Sequence, residues 1–560
     1  MYNKIMIAPN TDLILLQCPI ELDQRNQLTF SNATAQYNYF HGLNKLEQDG
    51  FTYQRKDGKI RYPACADDLW QYNYCMYRNT SHGNKWFYAF ITDIEYLNDN
   101  TSLISIKTDV WQSWQFQLDF KPSFVAREHT NDDTFGKNVL DEGIQVGEYT
   151  CNATSNLSYM SDTQDYYVAV EVSELLVDIA NYPSLKRVYN GLPQGTWILL
   201  NDINSSNPDL SKALDNLIYA YDIVGKADAV VSMYVLPKSL ANVDPLTPIS
   251  FAFNANTPNE VAWDGYIMPA STSAKDMGRW EWDRQTTLNG YTPKNQKCLI
   301  YPYNYLMISN NAGKDNVYHW EDFASSACWF SLKGVAVMGC QIRAIPEAYK
   351  GTNLSTGYAW SCTAPELPQV SWNSDFYLNW RAKEGINAGI NAVDKYVSDY
   401  LLPDSPAQSK TEGMGWEAFK DQLGATFNTP LQYIKSIFAE VKGGYSASIT
   451  PDETRGTVTG SLTFSMGLTC FTGYKMSVKY QQAKAIDDYF SMFGYRTDQV
   501  KLPNRTGRQN WNYVQTTGCN IEGAVPQTDL QEIKTMFDSG ITLWHNASTF
   551  LDYSQSNNIV

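Results

Sequence analysis

Residues 86–114, WFYAFITDIEYLNDNTSLISIKTDVWQSW, constrain the fold more than any other stretch of the chain. Apolar residues alternate unevenly up to Tyr96, and Asn98-Asp99-Asn100 then supplies residues typical of a tight turn. A second run rich in β-branched residues follows and ends at Val110. Two such runs around a short turn predict a β-hairpin, and therefore an antiparallel sheet.

The composition favours a mainly β protein with extensive packing surfaces. Aromatic residues make up 14% of the 560 residues, with 38 Tyr and 16 Trp. These side chains favour pleated, half-buried surfaces and contacts in which the ring packs while a polar tip stays in water. A chain of this length is expected to form about two to four compact units. Further strands are predicted by apolar runs between turn residues at 13–16, 165–173, 196–200, 228–236, 298–309 and 334–345.

The net charge of −16 argues against tight binding of a nucleic-acid backbone, which requires clustered Lys and Arg. Two interpretations of this acidity remain open. One is solubility alone. The other is a passage through which DNA slides without sticking, because acidic walls repel phosphates.

The chain lacks the common motifs of metal, nucleotide and hydrolase sites. None of its ten cysteines shows CxxC spacing, its five histidines lack ligand spacing, and it has no phosphate-binding Gly-rich loop, HExxH or GxSxG. No cofactor and no metal ligand is therefore predicted. We expect reduced and mostly buried thiols, as in proteins that fold in a cytoplasm.

The N-terminal segment is predicted to be a strand and not a signal peptide. Asp12 and Pro19 interrupt its short apolar run, and no small-residue cleavage site follows. No stretch reaches the roughly 18 apolar residues of a spanning helix, so we expect a soluble product.

Two helices are predicted near the C-terminus. In the first, six apolar residues recur at helical spacing before Gly494: Met476, Tyr480, Ala483, Ile486, Phe490 and Phe493. The second begins near Pro526, buries Leu530, Ile533, Met536 and Phe537, and ends at Gly540. A short strand and a tail are expected to follow.

For about ninety residues before Gly467 the strand pattern stops, which is too long for an ordinary loop. Three amphipathic stripes occur there: Ile386, Ile390, Val393, Val397 and Leu401; Trp416, Phe419, Leu423 and Phe427; Leu431, Ile434, Phe438 and Val441. They either pack on one another and on the β body, or form a tip that lays its apolar faces into a bilayer. Interspersed charges make a single membrane span implausible, since each costs about 2.5–3.5 kcal/mol at bilayer depth.

One pair of carboxylates is the best candidate for an enzymatic site. Glu281 and Asp283 flank Trp282, and paired carboxylates beside aromatic rings suit the hydrolysis of wall sugars. Such pairs are common among 59 acidic residues, so the sequence favours a protein that is not an enzyme.

The run DDYFSMFGYRTDQVKLPNRTGRQNWNYVQTTGCNIEGAVP at 487–526, together with the hairpin at 86–114 and the following FVAREH, resembles the tail knob proteins of small short-tailed phages of Gram-positive bacteria. The resemblance covers the first 130 residues and the last ninety or so. It implies a structural virion protein, a multi-domain β-barrel or tube-forming subunit that assembles into a hexameric ring. The alternative is a carbohydrate-binding or wall-degrading tail protein.

The resemblance also implies an organisation and a set of partners. Residues 1–125 and 467–560 would form the tube domain, 126–370 a lateral knob region, and 371–466 the tip insertion that contains the three stripes. The chain would be made in the host cytoplasm and lie in the distal tail, below a collar. Other tail proteins, the host membrane and DNA passing through the lumen would be its partners.

Overall fold

The computed structural model describes most of the chain outside the predicted insertion. The described ranges are 11–51, 58–79, 83–159, 166–177, 188–189, 192–193, 197–203, 216–217, 220–221, 224–226, 229–241, 247–253, 261–268, 274–335, 341–351, 357–365, 369–371 and 470–560.

The described residues are mainly in strands. In chain order these are β1 Thr11–Leu16, β2 Asn26–Leu28, β3 Lys45–Phe51, β4 Lys59–Tyr62, β5 Tyr74–Asn79, β6 Trp86–Asn98, β7 Thr101–Thr108, β8 Leu118–Phe120, β9 Ser123–Glu128, β10 Tyr149–Ser158, β11 Tyr166–Val172, β12 Val188–Tyr189, β13 Leu192–Pro193, β14 Trp197–Ile203, β15 Val230–Pro237, β16 Thr247–Phe253, β17 Val261–Met268, β18 Lys275–Asp283, β19 Asn304–Ser309, β20 Asp315–Tyr318, β21 Ala327–Val335, β22 Gln341–Pro346, β23 Cys362–Thr363, β24 Gln369–Ser371, β25 Cys470–Val478, β26 Tyr495–Lys501, β27 Trp511–Thr517, β28 Ile521–Gly523 and β29 Ile541–Trp544. The α-helices are α1 Ala33–His41, α2 Ala66–Leu69, α3 Val110–Trp114, α4 Tyr480–Phe493 and α5 Gln527–Ser539. Within the described ranges, no helix is both long enough and apolar enough to span a bilayer.

The chain divides into two units, and each is assembled from separated parts of the sequence. Unit 1 contains residues 1–149, 286–303 and 478–560. Unit 2 contains residues 150–285 and 304–477.

Unit 1 contains a six-stranded sheet in the order β3-β1-β5-β6-β7-β4. The predicted hairpin is confirmed, because β6 and β7 pair antiparallel with Asp99 and Asn100 at the turn. Strand β1 matches the predicted apolar run and is buried on both faces. Leu13 and Leu15 join one core cluster, while Ile14 and Leu16 join another.

A second sheet of unit 1, in the order β2-β29-β27-β9-β26, joins N-terminal and C-terminal strands. The two predicted C-terminal helices, α4 and α5, pack in this unit. Helix α4 begins at Tyr480, so Met476 lies in β25 and not in the predicted helix. The helix ends at Gly494, whose φ is 64° and where a Cβ would lie 2.2 Å from the carbonyl oxygen of Glu128.

Unit 2 is built around a six-stranded antiparallel sheet in the order β16-β17-β14-β11-β15-β24. Strand β11 lies at its centre and is buried at every position, as expected for a continuous run of apolar and aromatic residues. Strands β11, β14 and β15 confirm the predictions at 165–173, 196–200 and 228–236. Two four-stranded sheets complete the unit, in the orders β18-β21-β22-β23 and β10-β25-β19-β20.

Two strand predictions were wrong in extent. The predicted strand at 298–309 begins only at Asn304, because Pro302 lacks the backbone N–H that a strand interior requires. Instead, residues 296–299 form a 3-10 turn. The predicted strand at 334–345 consists of the end of β21 and most of β22, which pair with each other. Apolar residues occur in both strands, so the sequence did not indicate that the chain reverses direction between them.

The thiols are mostly buried, as predicted. Among the described cysteines, Cys65 is partly exposed and Cys151 is exposed, while the rest are buried.

A buried carboxylate begins helix α3 in unit 1. Asp109 accepts hydrogen bonds from the backbone N–H of Gln112 at 3.1 Å and from the Tyr74 hydroxyl at 3.0 Å. Asp109 is wholly buried, and burial raises the pKa of its carboxyl to about 6. The hydrogen bonds lower the pKa and so offset part of this effect. Folding therefore shifts the protonation equilibrium of Asp109 toward the neutral carboxyl, although the carboxylate still predominates at neutral pH.

This residue is expected to make stability depend on pH. Between about pH 4 and pH 6 the folded state binds more protons at Asp109 than the unfolded state does, so its contribution falls as pH rises through that window and is constant above it. Asp109→Asn keeps the capping oxygen and removes the titration. Relative to the wild type, the variant should gain about 3 kcal/mol between pH 4 and pH 7, measured by urea unfolding. If the difference in unfolding free energy between Asp109→Asn and the wild type does not change with pH, the prediction is wrong.

Candidate assembly edge and the ends of the insertion

The predicted membrane-contacting residues lie outside the part of the chain that the structure describes. They are Ile386, Ile390, Val393, Val397, Leu401, Trp416, Phe419, Leu423, Phe427, Leu431, Ile434, Phe438 and Val441. The described chain stops after β24 and resumes at β25. Strand β24 is an edge of the six-stranded sheet of unit 2, whereas β25 lies inside the sheet β10-β25-β19-β20. The insertion therefore leaves from one sheet and returns to another.

Strand β25 packs closely against two tryptophans of β18. Trp280 and Trp282 form an edge-to-face pair with ring centroids 4.9 Å apart, and both are buried. A Cβ at Gly473 would lie 2.2 Å from Cζ2 of Trp282. Glycine is therefore required where the insertion returns to the fold.

Gly473→Ala is expected to be strongly destabilising, by about 3 kcal/mol, because neither the tryptophan pair nor the strand has space to move. Thermal unfolding would measure the loss. Adding Trp282→Phe, which removes the ring atoms nearest to the new methyl group, should recover part of it in a double-mutant cycle. Strictly additive effects of the two substitutions would contradict the proposed clash.

A chain of amide side chains, exposed at Asn152 and buried at Gln285 and Asn304, ties three strands of this region together. Asn152 on β10 donates to Ser477 Oγ at 2.8 Å and to Gln285 Oε1 at 3.0 Å. Gln285 Nε2 in turn donates to Asn304 Oδ1 on β19 at 2.9 Å, and that oxygen also accepts from Trp320 Nε1 at 3.1 Å. Because buried polar networks are costly to leave incomplete, this chain fixes the position of β10 relative to β25 and β19.

Strand β10 is an unusual edge strand. It lies at one edge of its sheet, and every residue from 151 to 156 is exposed, so both of its faces are open. Its ten residues, YTCNATSNLS, include no charge and no proline. Edge strands normally carry such residues to prevent pairing with other chains: β3, β4, β18 and β26 each carry at least two charges, whereas the uncharged edges β2, β23 and β24 are only two or three residues long. An uncharged edge of this length suits pairing with another strand.

The candidate carboxylates for wall-sugar hydrolysis are not combined with the aromatic rings that suggested them. Glu281 and Asp283 are exposed on one face of β18, whereas Trp280 and Trp282 are buried on the other. Successive residues of a strand point to opposite faces. The sugar-binding arrangement expected from the sequence is therefore not formed at β18.

The buried histidine His129 of unit 1 has a structural role. His129 accepts from the backbone N–H of Tyr513 at 2.8 Å, and its other ring nitrogen lies 3.1 Å from the carbonyl oxygen of Ser491. Burial, assisted by the nearby Arg508, lowers the pKa of His129 to about 3, so the ring is neutral. In the described ranges, no group of acidic, histidine and cysteine side chains is arranged to hold a metal ion.

Family models match the chain over two ranges. The model described as "Bacillus phage phi29, Tail knob protein gp9, C-terminal domain" matches residues 269–558. The model described as "Caudoviral major tail protein N-terminus" matches residues 10–119.

Individual proteins are similar over nearly their whole length. The tail knob protein gp9 of Bacillus phage phi29 is 24% identical, with 98% of each chain covered. That of Bacillus phage B103 is 25% identical, again with 98% of each chain covered. The solved structure of the bacteriophage C1 tail knob protein gp12 superposes with a TM-score of 0.59 at 14% identity, covering 98% of this chain and all of the other. This last likeness shows a shared fold.

A mainly β chain with these matches is a structural tail component of a short-tailed phage. It belongs to the tail knob protein family represented by gp9 of phage phi29. The expectation that the chain is not an enzyme agrees with the names of these relatives, which are structural proteins.

Sequence reasoning did not identify β10 as a functional element. The available signal was weak: ten consecutive residues with neither charge nor proline in a chain of which 18% is charged. Only the pairing order shows that these residues form an edge.

Proposed function

We propose that this chain forms a hexameric ring at the distal end of the tail, surrounding a channel for DNA, and that the insertion at 371–466 closes the channel until it opens at the host membrane. In this proposal residues 1–125 and 467–560 form the tube, and 126–370 the lateral knob. The ring attaches below the collar, to other tail proteins.

The observation that supports this proposal is the sheet β10-β25-β19-β20, whose two terminal strands are β10 and β20. Strand β10 of one copy would pair with β20 of the next, so that the lateral knob regions of neighbouring copies also join within the ring. Such a contact joins two different surfaces, and contacts of this kind generate closed rings when the rotation between copies permits. Sheet continuation by an added strand supplies main-chain hydrogen bonds and a defined register.

The same sheet links ring formation to the tip. Strand β25 is the neighbour of β10, and it is the strand at which the chain returns from the insertion. A rearrangement of the insertion would therefore act on a strand next to the contact between copies. The net charge of −16 suits a lumen through which DNA passes without tight binding.

The amphipathic stripes favour contact with the membrane surface over a spanning helix. Charged residues such as Lys383, Asp394 and Lys420 lie among the apolar ones. Their cost at bilayer depth is avoided if the apolar faces lie in the interface, or if several copies bury their polar faces together.

Ring formation through β10 is tested by adding charge to this edge. Thr154→Lys with Asn156→Lys should reduce the hexamer to smaller species in size-exclusion chromatography with light scattering, because lysines on an edge prevent strand addition. Glu281→Lys, on the charged edge strand β18, is the matched control and should leave the hexamer intact. Rings that persist in the double variant would show that β10 is not the contact. A wild-type protein that remains monomeric at all concentrations would overturn the ring itself.

The role of the tip is tested by dye release from liposomes at neutral and mildly acidic pH, using the intact protein and a variant lacking 381–460. The intact protein should release dye and the deletion should not. Absence of release in both would mean that the stripes are packed structure and the chain is a passive tube or adaptor. A phage carrying the deletion and still delivering DNA would lead to the same conclusion, and clearing of cell walls in a zymogram would favour the wall-degrading alternative.

A further inference from the structure

Unit 1 contains a cleft of about 400 Å³ at the end of β9 and beside the loop that follows β26. It is lined by Glu128, Thr130, Asn131, Asp132 and residues 501–506. The proposed contact between β10 and β20 does not use the residues of this cleft.

Arg505 is held in the cleft with its hydrogen-bond donors unused. Its guanidinium carbon lies 3.9 Å from the centroid of the Phe120 ring, which is part of a buried core cluster. Among the described residues, this guanidinium makes no hydrogen bond and no ion pair. Burial lowers the pKa of Arg505, and the nearest compensating charge is on Asp119, whose carboxylate pairs with Lys121 at 2.6 Å. The positive charge is therefore partly buried and open to a ligand.

A second stacked arginine, Arg279, has a carboxylate partner of the kind that Arg505 lacks among the described residues. Arg279 lies over the Trp329 ring at 4.4 Å and is also bonded to the carboxylate of Glu347. Stacking on an aromatic ring orients the planar guanidinium fork, which then matches a carboxylate in two parallel hydrogen bonds. Arg505 has the stacking and lacks the carboxylate.

The other charges of the cleft are already paired. Glu128 is buried, forms an ion pair with Lys501, and accepts from the backbone N–H of Asn504 at 2.8 Å. Asp132 accepts from the backbone N–H of Thr134 at 2.9 Å. A ligand that neutralises Arg505 therefore needs to supply a single negative group there, and the two acidic side chains disfavour a polyphosphate.

An open strand edge with exposed apolar side chains lies beside Arg505. Strand β26 is the last strand of its sheet, and its first part is covered where the backbone N–H of Arg496 donates to Glu142. Further along, Val500 is 72% exposed and stands opposite Phe124, which is 39% exposed. Leu502, the next apolar residue, is 57% exposed. An unpaired edge, exposed apolar side chains and an unpaired cation are the features that recognise an extended peptide.

We propose that the open half of β26 and the cleft bind an extended acidic peptide segment of a partner protein. The peptide main chain adds to the edge at residues 499–502, its apolar side chains cover Phe124, Val500 and Leu502, and a carboxylate of Asp or Glu binds Arg505. Strands β10 and β26 belong to different units, so this site and the proposed ring contact are tested by different variants.

A synthetic peptide of alternating valine and glutamate, with a fluorescent label, is a suitable probe. Its affinity for the full-length protein is measured by anisotropy, and its position by hydrogen exchange at residues 495–501. The control peptide has lysine in place of glutamate. We expect the acidic peptide to bind at least about ten-fold more tightly than the basic one and to slow exchange in β26, because a hydrogen bond to a charged group contributes about that factor.

Arg505→Gln should weaken binding of the acidic peptide by about ten-fold or more, whereas Arg279→Gln, at the paired site, should leave it unchanged. Val500→Asp is a second variant at a highly exposed position, where folding is preserved, and it should also weaken binding. The proposal would be overturned if the wild type does not bind the acidic peptide or binds both peptides equally well. It would also be overturned if Arg505→Gln binds the acidic peptide as tightly as the wild type. Displacement of the peptide by inorganic phosphate or by a DNA oligonucleotide at equal concentration would assign the site to phosphate instead.

Discussion

Asp487→Ala is expected to lower the free energy of unfolding by about 4 kcal/mol or more, because it removes an acceptor shared by several buried donors. The carboxylate accepts from the backbone N–H groups of Lys294 and Asn295 at 2.8 and 2.9 Å. It also accepts from the Asn295 amide and the Tyr291 hydroxyl, both at 2.8 Å. These donors lie in the segment 286–303, so one side chain of α4 anchors a part of unit 1 that is remote in sequence.

Thermal and urea unfolding would measure this loss. Asp487→Asn, which keeps one acceptor oxygen and turns an amide toward the remaining donors, should lie between the wild type and the alanine variant. Asp488→Ala is the control, because Asp488 is exposed on the same helix, and it should change stability by less than about 0.5 kcal/mol. Equal losses at positions 487 and 488 would show that the hydrogen-bonded cluster does not stabilise the unit.

Glu142→Gln is expected to cost about 3–5 kcal/mol, because it leaves two buried cations without their counter-charge. The Glu142 carboxylate forms ion pairs with Arg127 and Lys297, and all three side chains are largely or wholly buried. Burial lowers the pKa of Lys297 even with this partner present. Urea unfolding at neutral pH is the measurement.

The exposed pair of Glu148 and Lys479 provides a control of the same chemistry, and Glu148→Gln should change stability far less than Glu142→Gln does. Adding Lys297→Met to Glu142→Gln should recover a large part of the loss, because one uncompensated charge is replaced by apolar volume. If the double variant is no more stable than the single one, the penalty does not come from the unpaired lysine.

Local elements were predictable from the sequence, whereas their partners were not. The hairpin of β6 and β7 is confirmed because turn residues and alternating apolar residues occur within one short stretch. Helices α4 and α5 are confirmed because their apolar spacing ends at glycines, Gly494 and Gly540. The parallel pairing of β2 with β29 joins the two ends of the chain, and no local pattern encodes it.

Buried charges were the least predictable feature. Asp487, Glu142 and Asp109 occur among 59 acidic residues, most of which a solvated surface would explain. What distinguishes them is the set of donors that surrounds each one, and those donors lie in other parts of the chain. The predicted tip remains a prediction, since its residues lie outside the described ranges.

The separation of β10 from β25 along the chain has a consequence for the order of synthesis. Strand β10 ends at Ser158, but the neighbour that makes it part of a sheet begins only at Cys470. At about 5–20 residues per second, a ribosome needs on the order of half a minute to make the intervening chain. Unit 1 likewise contains strand β29, whose parallel partner β2 is made near the start of the chain. In the proposed ring, a nascent chain that has not yet reached Cys470 lacks the neighbour of β10, so copies on one messenger RNA would not join through this edge prematurely.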